Sequence, residues 1–260
     1  MTAPTILLFD SGLGGLTVFR EVVKARPDAR YIYLADDARF PYGDIAQAEL
    51  VARVVAVIGE TIAAHKPDLA IIACNTASTL ALKDLRDNFK LPFIGTVPAI
   101  KPACAQSKSK RVAVLGTQAT VSREYTRALI REFAAGCDVD LVGSSHLATF
   151  AEAELAGKPV ADAAIKDEIA ACFVEDKGTR TDTVVLACTH YPLLLDRMRA
   201  LAPWPVDWID PAPAIARRLV ELIGPGSGAK PVASAQMIFT SGRPLSPTLS
   251  RALAGFGIAA

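Results

Sequence analysis

Six short runs of continuously apolar residues punctuate this chain: TILLF, YIYLA, LAIIA, RVAVLG, TVVLA and VDWI. Runs of that length without polar alternation are what strands buried on both faces require, so the pattern predicts parallel sheets. The stretches between them carry helical spacing. Leu50, Val54, Val57, Ile58 and Ile62 recur at intervals of three and four, as do Ile165, Ile169, Cys172 and Phe173. Ile215, Leu219 and Leu222 repeat the spacing near the end, where Gly224-Pro225 predicts a helix stop. Strands alternating with helices predict βαβ units and an α/β fold.

The runs also echo one another. ILLFDSG then IIACNTAS in the first half is matched by VAVLGTQ then VLACTHYP in the second. The echo predicts two similar α/β domains with mainly parallel sheets, a pseudo-two-fold pair. The functional cleft would lie between them, at strand C-termini where open parallel sheets carry their ligands. GTVPAIKPA, around Pro98, reads as the link. On this reading residues 1–97 with 208–260 form the first domain and 98–207 the second.

Composition narrows the class. With 260 residues, 51% apolar and 21% charged, the chain has a globular composition and enough length for a sizeable core. A net charge of +1 without a Lys/Arg run gives no electrostatic reason to expect nucleic acid as the main partner. The apolar runs are too short to span a membrane, and no basic segment precedes the first one as in a signal peptide. Five cysteines without CxxC spacing argue against a disulfide framework or a structural zinc site. The chain reads as soluble and cytoplasmic.

Candidate chemistry gathers where strand-like runs end. LAIIA leads into Cys74-Asn75-Thr76, and TVVLA into Cys188-Thr189-His190. A free cysteine at a strand end is usually a small buried hydrophobe. Asn75 and Thr76, however, are cap-forming residues before a helical stretch, and a helix N-terminus favours thiolate. His190 lies near enough to Cys188 to share its proton. The other two histidines have duller settings, His65 at a helix end and His146 in the loop-like GSSHL; Cys104, Cys137 and Cys172 read as structural.

Three further turns accompany the cysteines. FDSGLGG puts Asp10 at a strand end before a glycine-rich turn, Ser11 to Gly15, that suits an anion. Its spacing fits neither a dinucleotide nor a P-loop motif. LADDARFPYG places Asp36 and Asp37 at another strand end, before the turn Pro41-Tyr42-Gly43. LGTQATVSREY sets Thr117, Thr120 and Ser122 between a strand and a helix, suited to anion binding or to plain capping. A redox dithiol would want CxxC, a metal site more ligands, and a single nucleophile would leave one cysteine idle. Two-base proton transfer uses both, one thiolate taking a proton and the opposite thiol giving one.

Taken in order, FDSGLGGLTV, YLADDARFPYG, ACNTAST, GTVPAIKPA, GTQATVSREY and ACTHYPLL resemble the glutamate racemases of the cofactor-independent aspartate/glutamate racemase superfamily. The similarity runs from around Ile6 to the WIDPAPAIA segment around Asp210. It implies two α/β domains with the site between them, no cofactor and no metal. It also implies interconversion of L- and D-glutamate for peptidoglycan, by a homodimer. Carried onto this sequence, Cys74 and Cys188 are the bases, Asp10 tunes Cys74, and His190 with Glu152 serves Cys188. Asp36 is a further acid of the pocket. Ser11, Pro41, Tyr42, Gly43, Asn75, Thr76, Thr117, Thr120, Thr189, Asp10 and His190 contact the substrate. SSHLATFAEAELAG departs from the family's Cys-Pro and apolar run, leaving Glu152 and Glu154 to compete for the auxiliary acid. Some relatives carry an N-terminal extension linked to activation by a peptidoglycan precursor; the first strand starts so early here that such control is not expected. Aspartate or hydantoin racemisation, or non-catalytic amino-acid binding in the cleft, are the competing readings.

Overall fold

The structure, a computed structural model, describes residues 3–226 and 235–258. Two parallel sheets organise it. Strands β1 (Thr5–Asp10), β2 (Arg30–Ala35), β3 (Leu69–Ile72) and β4 (Phe93–Gly95) build the first. Strands β5 (Arg111–Thr117) and β6 (Asp138–Ser144) open the second. A short antiparallel hairpin, β7 (Glu175–Asp176) with β8 (Thr179–Arg180), precedes β9 (Thr183–Ala187) and β10 (Asp207–Ile209), which complete it. The chain then returns to the first sheet with β11 (Gln236–Phe239).

Strand order shows that the sequence echo is structural. The first sheet runs β11-β2-β1-β3-β4 and the second β10-β9-β5-β6. Setting the added edge strand β11 aside, each sheet places its first strand between its second and third, with the fourth outermost. In both, connections leave in opposite directions from the first and third strands, and a crevice opens beyond their carboxyl ends. Cys74 follows β3 and Cys188 follows β9, so each crevice receives one cysteine.

The six apolar runs all form strands, and their burial explains why. Every residue of β3 and β9 is buried. Helices α1 (Leu16–Ala25), α2 (Gln47–His65) and α3 (Asn75–Asn88) cover the first sheet. Helices α4 (Ile100–Gln106), α5 (Gln118–Val121), α6 (Glu124–Phe133), α7 (Leu147–Leu155), α8 (Asp162–Ile169) and α9 (Leu195–Leu201) surround the second. Helices α10 (Ala212–Ile223) and α11 (Pro247–Ala254) belong to the return. Each sheet has an apolar layer on both faces: Ile6, Leu8 and Leu16 against Leu7, Phe9 and Val54 in the first, Leu115, Ile165 and Leu186 against Ile100, Val112 and Val185 in the second. Full burial of such a side chain contributes about 1.5–3 kcal/mol.

After β4 the chain crosses and enters α4, whose Ile100, Ala103 and Cys104 pack on the second sheet. Thr96 anchors the crossing to the first sheet, its N–H donating to Ser78 Oγ and its hydroxyl to the Ile72 carbonyl. The second crossing needs a correction. A boundary between 207 and 208 would cut β10, which pairs with β9, so the second unit continues through Ile209. Of the residues assigned to the first unit, 1–2, 227–234 and 259–260 lie outside those described. Among the described residues no helix is long and apolar enough to cross a membrane.

A buried ion pair fastens the return. Arg26 follows α1 and pairs with Asp28 through two hydrogen bonds, at 2.9 and 3.1 Å. Its other nitrogen donates to the carbonyls of Ile223 and Gly224, capping α10. Removing the guanidinium takes away both bonds to Asp28 and leaves the two carbonyls to be resatisfied. Arg26→Met is therefore expected to lower the stability of the protein by about 2 kcal/mol without changing its catalytic rate, as a shifted urea midpoint and an unchanged turnover would show.

Candidate active site

The two cysteines face one cavity of about 310 Å³ between the sheets. Cys74 is the N-cap of α3: its carbonyl accepts the Ser78 N–H at 2.9 Å, and the Ala77 N–H points at its sulfur. Cys188 is set differently. After it the chain makes a 3₁₀ turn, Tyr191–Leu194, before α9 begins, and this places the His190 ring beside the sulfur, Nδ1 to Sγ at 3.9 Å. A duplicated frame thus holds two unlike thiols.

Their surroundings differ in charge. Burial, then the nearby Asp10 carboxylate, pushes the Cys74 thiol up to about 12. Ser11 Oγ lies 3.7 Å from that sulfur. Asp10, fully buried, is itself raised by burial, against the opposing pull of His190 and of N–H groups from the glycine turn. Its Oδ2 accepts from Gly15 at 2.9 Å and Gly12 at 3.4 Å, and its Oδ1 from the Thr189 hydroxyl at 3.3 Å. At Cys188 the neighbour is cationic. Burial works against charge on His190, but the hydrogen bonds to Cys188 and Glu152, with the Asp10 charge, hold it well above the ordinary histidine range. Glu152 is lowered in spite of burial, by His190 and by the Leu13 N–H.

Glu152, and not Glu154, is the carboxylate that meets His190. Glu152 Oε1 lies 3.0 Å from His190 Nε2 and accepts the Leu13 N–H at 2.5 Å. Glu154 faces away, bonded to Arg197 at 2.6 Å and to the Val160 N–H. His190 Nε2 has a second neighbour, the Gly14 N–H at 3.1 Å. As an imidazolium it donates to Glu152; as a neutral ring protonated on Nδ1 it accepts from Gly14. Either proton state has a partner, and Leu13 satisfies Glu152 in both. The cost moves with the proton: on the imidazolium, Nε2–H and the Gly14 N–H are both donors, whereas the neutral ring restores the Gly14 bond and leaves Glu152 with Leu13.

The glycine turn reaches across the cleft to make these contacts, and its composition follows from the distances. A Cβ on Gly14 would stand 2.3 Å from His190 Nδ1, and one on Gly12 would stand 2.3 Å from Glu152 Oε1. Thr17 ties the same turn to the Thr189 carbonyl at 3.1 Å, and the Tyr33 hydroxyl supports it from below through the Gly12 carbonyl.

Of the residues expected at the site, Ser11, Pro41, Tyr42, Gly43, Cys74, Asn75, Thr76, Thr117, Cys188, Thr189 and His190 line the cavity. Asp10 and Glu152 stand behind it, acting through the residues they bond. Thr120 is fully buried, within 3.0 Å of Thr117 and 3.4 Å of Thr76. Its N–H meets Thr117 Oγ1, so the capping role expected of this segment is present; Ser122 turns to the Ala119 carbonyl. Asp36 lies away from the cavity lining. Both its oxygens are occupied, by Tyr42 (2.6 Å), Arg53 (2.6 and 3.1 Å) and Thr240 (2.6 Å), and these bonds hold it below the ordinary range despite burial. It fixes the Tyr42 ring in place. Asp37 serves Ser241 and Arg243.

The sequence reading overlooks one wall. Gln118, Ser144, Ser145, His146, Ala148 and Thr149 also line the cavity, as does Phe40, whose ring lies 5.3 Å from that of His190. The polar departure SSHLAT was the available signal, since the run ends β6 at a sheet's carboxyl edge. Asn75 brings unused hydrogen-bonding capacity to the cavity: its side-chain oxygen and nitrogen are both buried and unpartnered. Among the described residues no group of three or more metal-ligating side chains comes together.

Residues 11–219 match the family model described as Asp/Glu/Hydantoin racemase. The chain belongs to that family. Among curated members, a glutamate racemase of Brucella anthropi is 57% identical over 221 residues, covering 85% of this chain and 80% of its own. One from Sinorhizobium medicae is 52% identical over 255 residues, covering 97% and 94%. Among solved structures, Escherichia coli glutamate racemase in complex with L-glutamate and an activator, UDP-MurNAc-Ala, superposes with a TM-score of 0.89 at 38% identity, covering 98% of this chain and 96% of that one. The likeness embraces both sheets and the cleft between them, so the racemase fold is shared as a whole.

Gly14→Ala tests the close approach. The added methyl cannot fit against the His190 ring, and an ångström of misplacement at a reacting group costs about 100-fold. Turnover of Gly14→Ala is expected to fall by about that factor while its circular dichroism stays that of the parent.

Proposed function

We propose that this protein is a glutamate racemase in which Cys74 and Cys188 exchange protons with opposite faces of the substrate α-carbon. The observation that carries the reading is the pairing of two thiols across one cavity, each with a charged partner of opposite sign: Asp10 at Cys74 and His190 at Cys188. In one direction Cys188, with the imidazolium as counter-ion, removes the α-proton and leaves its bonding electrons on carbon. Cys74, held as a thiol, then donates its proton to the other face. The return reaction exchanges the roles.

An α-carbon is a poor acid, and the developing charge needs fixed donors in a site shielded from water. The unpartnered Asn75 amide and the hydroxyls of Ser11 and Thr76 line the same cavity as the sulfurs and serve this role. His190 and Glu152 set the charge at one base, Asp10 at the other. Tyr42, braced by Asp36, and Gly43 close the same space.

In the cell this activity would supply D-glutamate for peptidoglycan. Two catalytic thiols call for a reducing compartment, which supports the cytoplasm. A homodimer rests on the resemblance to the family. The domain assignment that goes with the reading is residues 1–97 with the segment after Ile209 as one unit and 98–209 as the other.

L-Glutamate, L-aspartate and a hydantoin, each incubated with the purified protein and followed by circular dichroism, separate the readings. Loss of optical activity from glutamate is expected; reaction of aspartate or hydantoin alone would leave the bases and change the substrate. Cys74→Ser and Cys188→Ser should each lower glutamate turnover by about 10³-fold or more, with glutamate binding by calorimetry retained. Turnover near the parent rate in either variant would end the two-base assignment.

A further inference from the structure

The polar partners of His190 all meet its two nitrogens. Nδ1 faces Cys188 Sγ at 3.9 Å, and Nε2 faces Glu152 Oε1 and the Gly14 N–H, at 3.0 and 3.1 Å. They leave the rest of the ring to apolar neighbours. Phe40, which the chemistry above does not use, is one of these. Its ring centroid lies 5.3 Å from that of His190, with the planes at 39°.

Phe40 reaches His190 across the cleft. It stands between β2 and α2, in the first sheet's domain, and its N–H donates to the Asp37 carbonyl at 3.5 Å. Asp36 and Asp37 are tied in turn to the hydroxyls of Thr240 and Ser241, each at 2.6 Å, so the segment that carries the ring is fixed from the end of β11. The ring also rests on the glycine turn: a Cβ on Gly12 would stand 3.2 Å from Phe40 Cδ2. Phe40 is half-buried at the cavity, and the His190 ring beside it is buried.

The charge on His190 has opponents as well as partners. Glu152 from α7 and Asp10 from β1 favour it, with Cys188 beside Nδ1, and Arg243 is the further charge that bears on Glu152. Against them stand burial and the Gly14 N–H, which faces the Nε2–H of the imidazolium as a second donor. An aromatic ring within about 6 Å of a cation stabilises it through its quadrupole, most strongly where water is excluded. An aliphatic side chain of similar size covers the imidazole as well but has no quadrupole. We propose that Phe40 is a positioning residue of the reaction, its ring stabilising the positive charge of the His190 that serves Cys188 as counter-ion. This inference rests on the racemase reading with Cys188 as a base.

The test follows the proton on His190 directly. Protein labelled with ¹³C at histidine Cε1 is titrated by NMR as wild type, Phe40→Leu and Phe40→Tyr, the His190 signal being identified by its absence from His190→Asn. The His190 ring of Phe40→Leu is expected to lose its proton about half to one pH unit below that of the wild type, whereas Phe40→Tyr, which keeps an aromatic face, follows the wild type. Kinetics should move with it. The imidazolium is the working form, so kcat/KM for glutamate falls as pH rises through the His190 titration. In Phe40→Leu that fall should begin earlier by the same interval, with the wild-type value retained at lower pH. A His190 ring in Phe40→Leu that keeps its proton to as high a pH as in the wild type overturns the proposal. So does a kcat/KM lowered by one factor at every pH, which would mean that Phe40 only packs. Should Phe40→Leu fail to fold, Phe40→Met takes its place and the same readings apply. A wild type inactive on glutamate would remove the functional reading itself, while the NMR titration would still decide whether Phe40 supports the charge on His190.

Discussion

Everything at this site depends on how closely one glycine turn approaches one histidine. The N–H groups of Leu13 and Gly14, from the first sheet's domain, reach Glu152 and His190 of the second. No side chain fits between, because a Cβ at position 12 or 14 would stand 2.3 Å from its neighbour across the cleft. The contact does three things at once. It joins the domains, it satisfies a buried carboxylate, and it gives His190 an acceptor role to fall back on when it loses a proton. Without it, Glu152, the carboxylate partner of His190, would lose the Leu13 N–H that holds it.

The frame that presents the cysteines is symmetric, but their chemistry is not. Both follow the third strand of a sheet with the same strand order, which puts both sulfurs at the crevice. Local backbone then separates them. An α-helix begins directly at Cys74, whereas after Cys188 a 3₁₀ turn leaves room for a histidine. Asp10 discourages negative charge on Cys74, and the imidazolium provides a counter-ion at Cys188. On the proposed two-base reading, the two thiols thus face neighbours of opposite charge.

Much of this was legible in the chain. Continuous apolar runs required buried strands, and their burial on both faces bears that out. The strands missed were those with weaker signals: β4 and β11 are short, and β6 has only partial cover, with Asp138 and Asp140 interrupting its apolar residues. The motifs located the cavity because backbone turns at strand ends need particular residues close together in sequence. Contacts between distant segments had no such trace. Nothing in LADDARF indicated that Arg53 and Thr240 would occupy Asp36, and GSSHL read as a plain loop because the cavity wall it forms exists only once α7 packs. Glu152 could be told from Glu154 only by which face of α7 meets His190.

The most direct test of two bases follows hydrogen rather than rate. L-Glutamate is incubated with the protein in D₂O and sampled at low conversion, with the enantiomers separated and the α-position read by NMR. If separate thiols serve the two faces, the D-glutamate formed carries solvent deuterium while the remaining L-glutamate keeps its original proton. D-Glutamate that retains the substrate proton, or L-glutamate that gains deuterium as fast as product forms, would mean that a single base works both faces and would contradict the account.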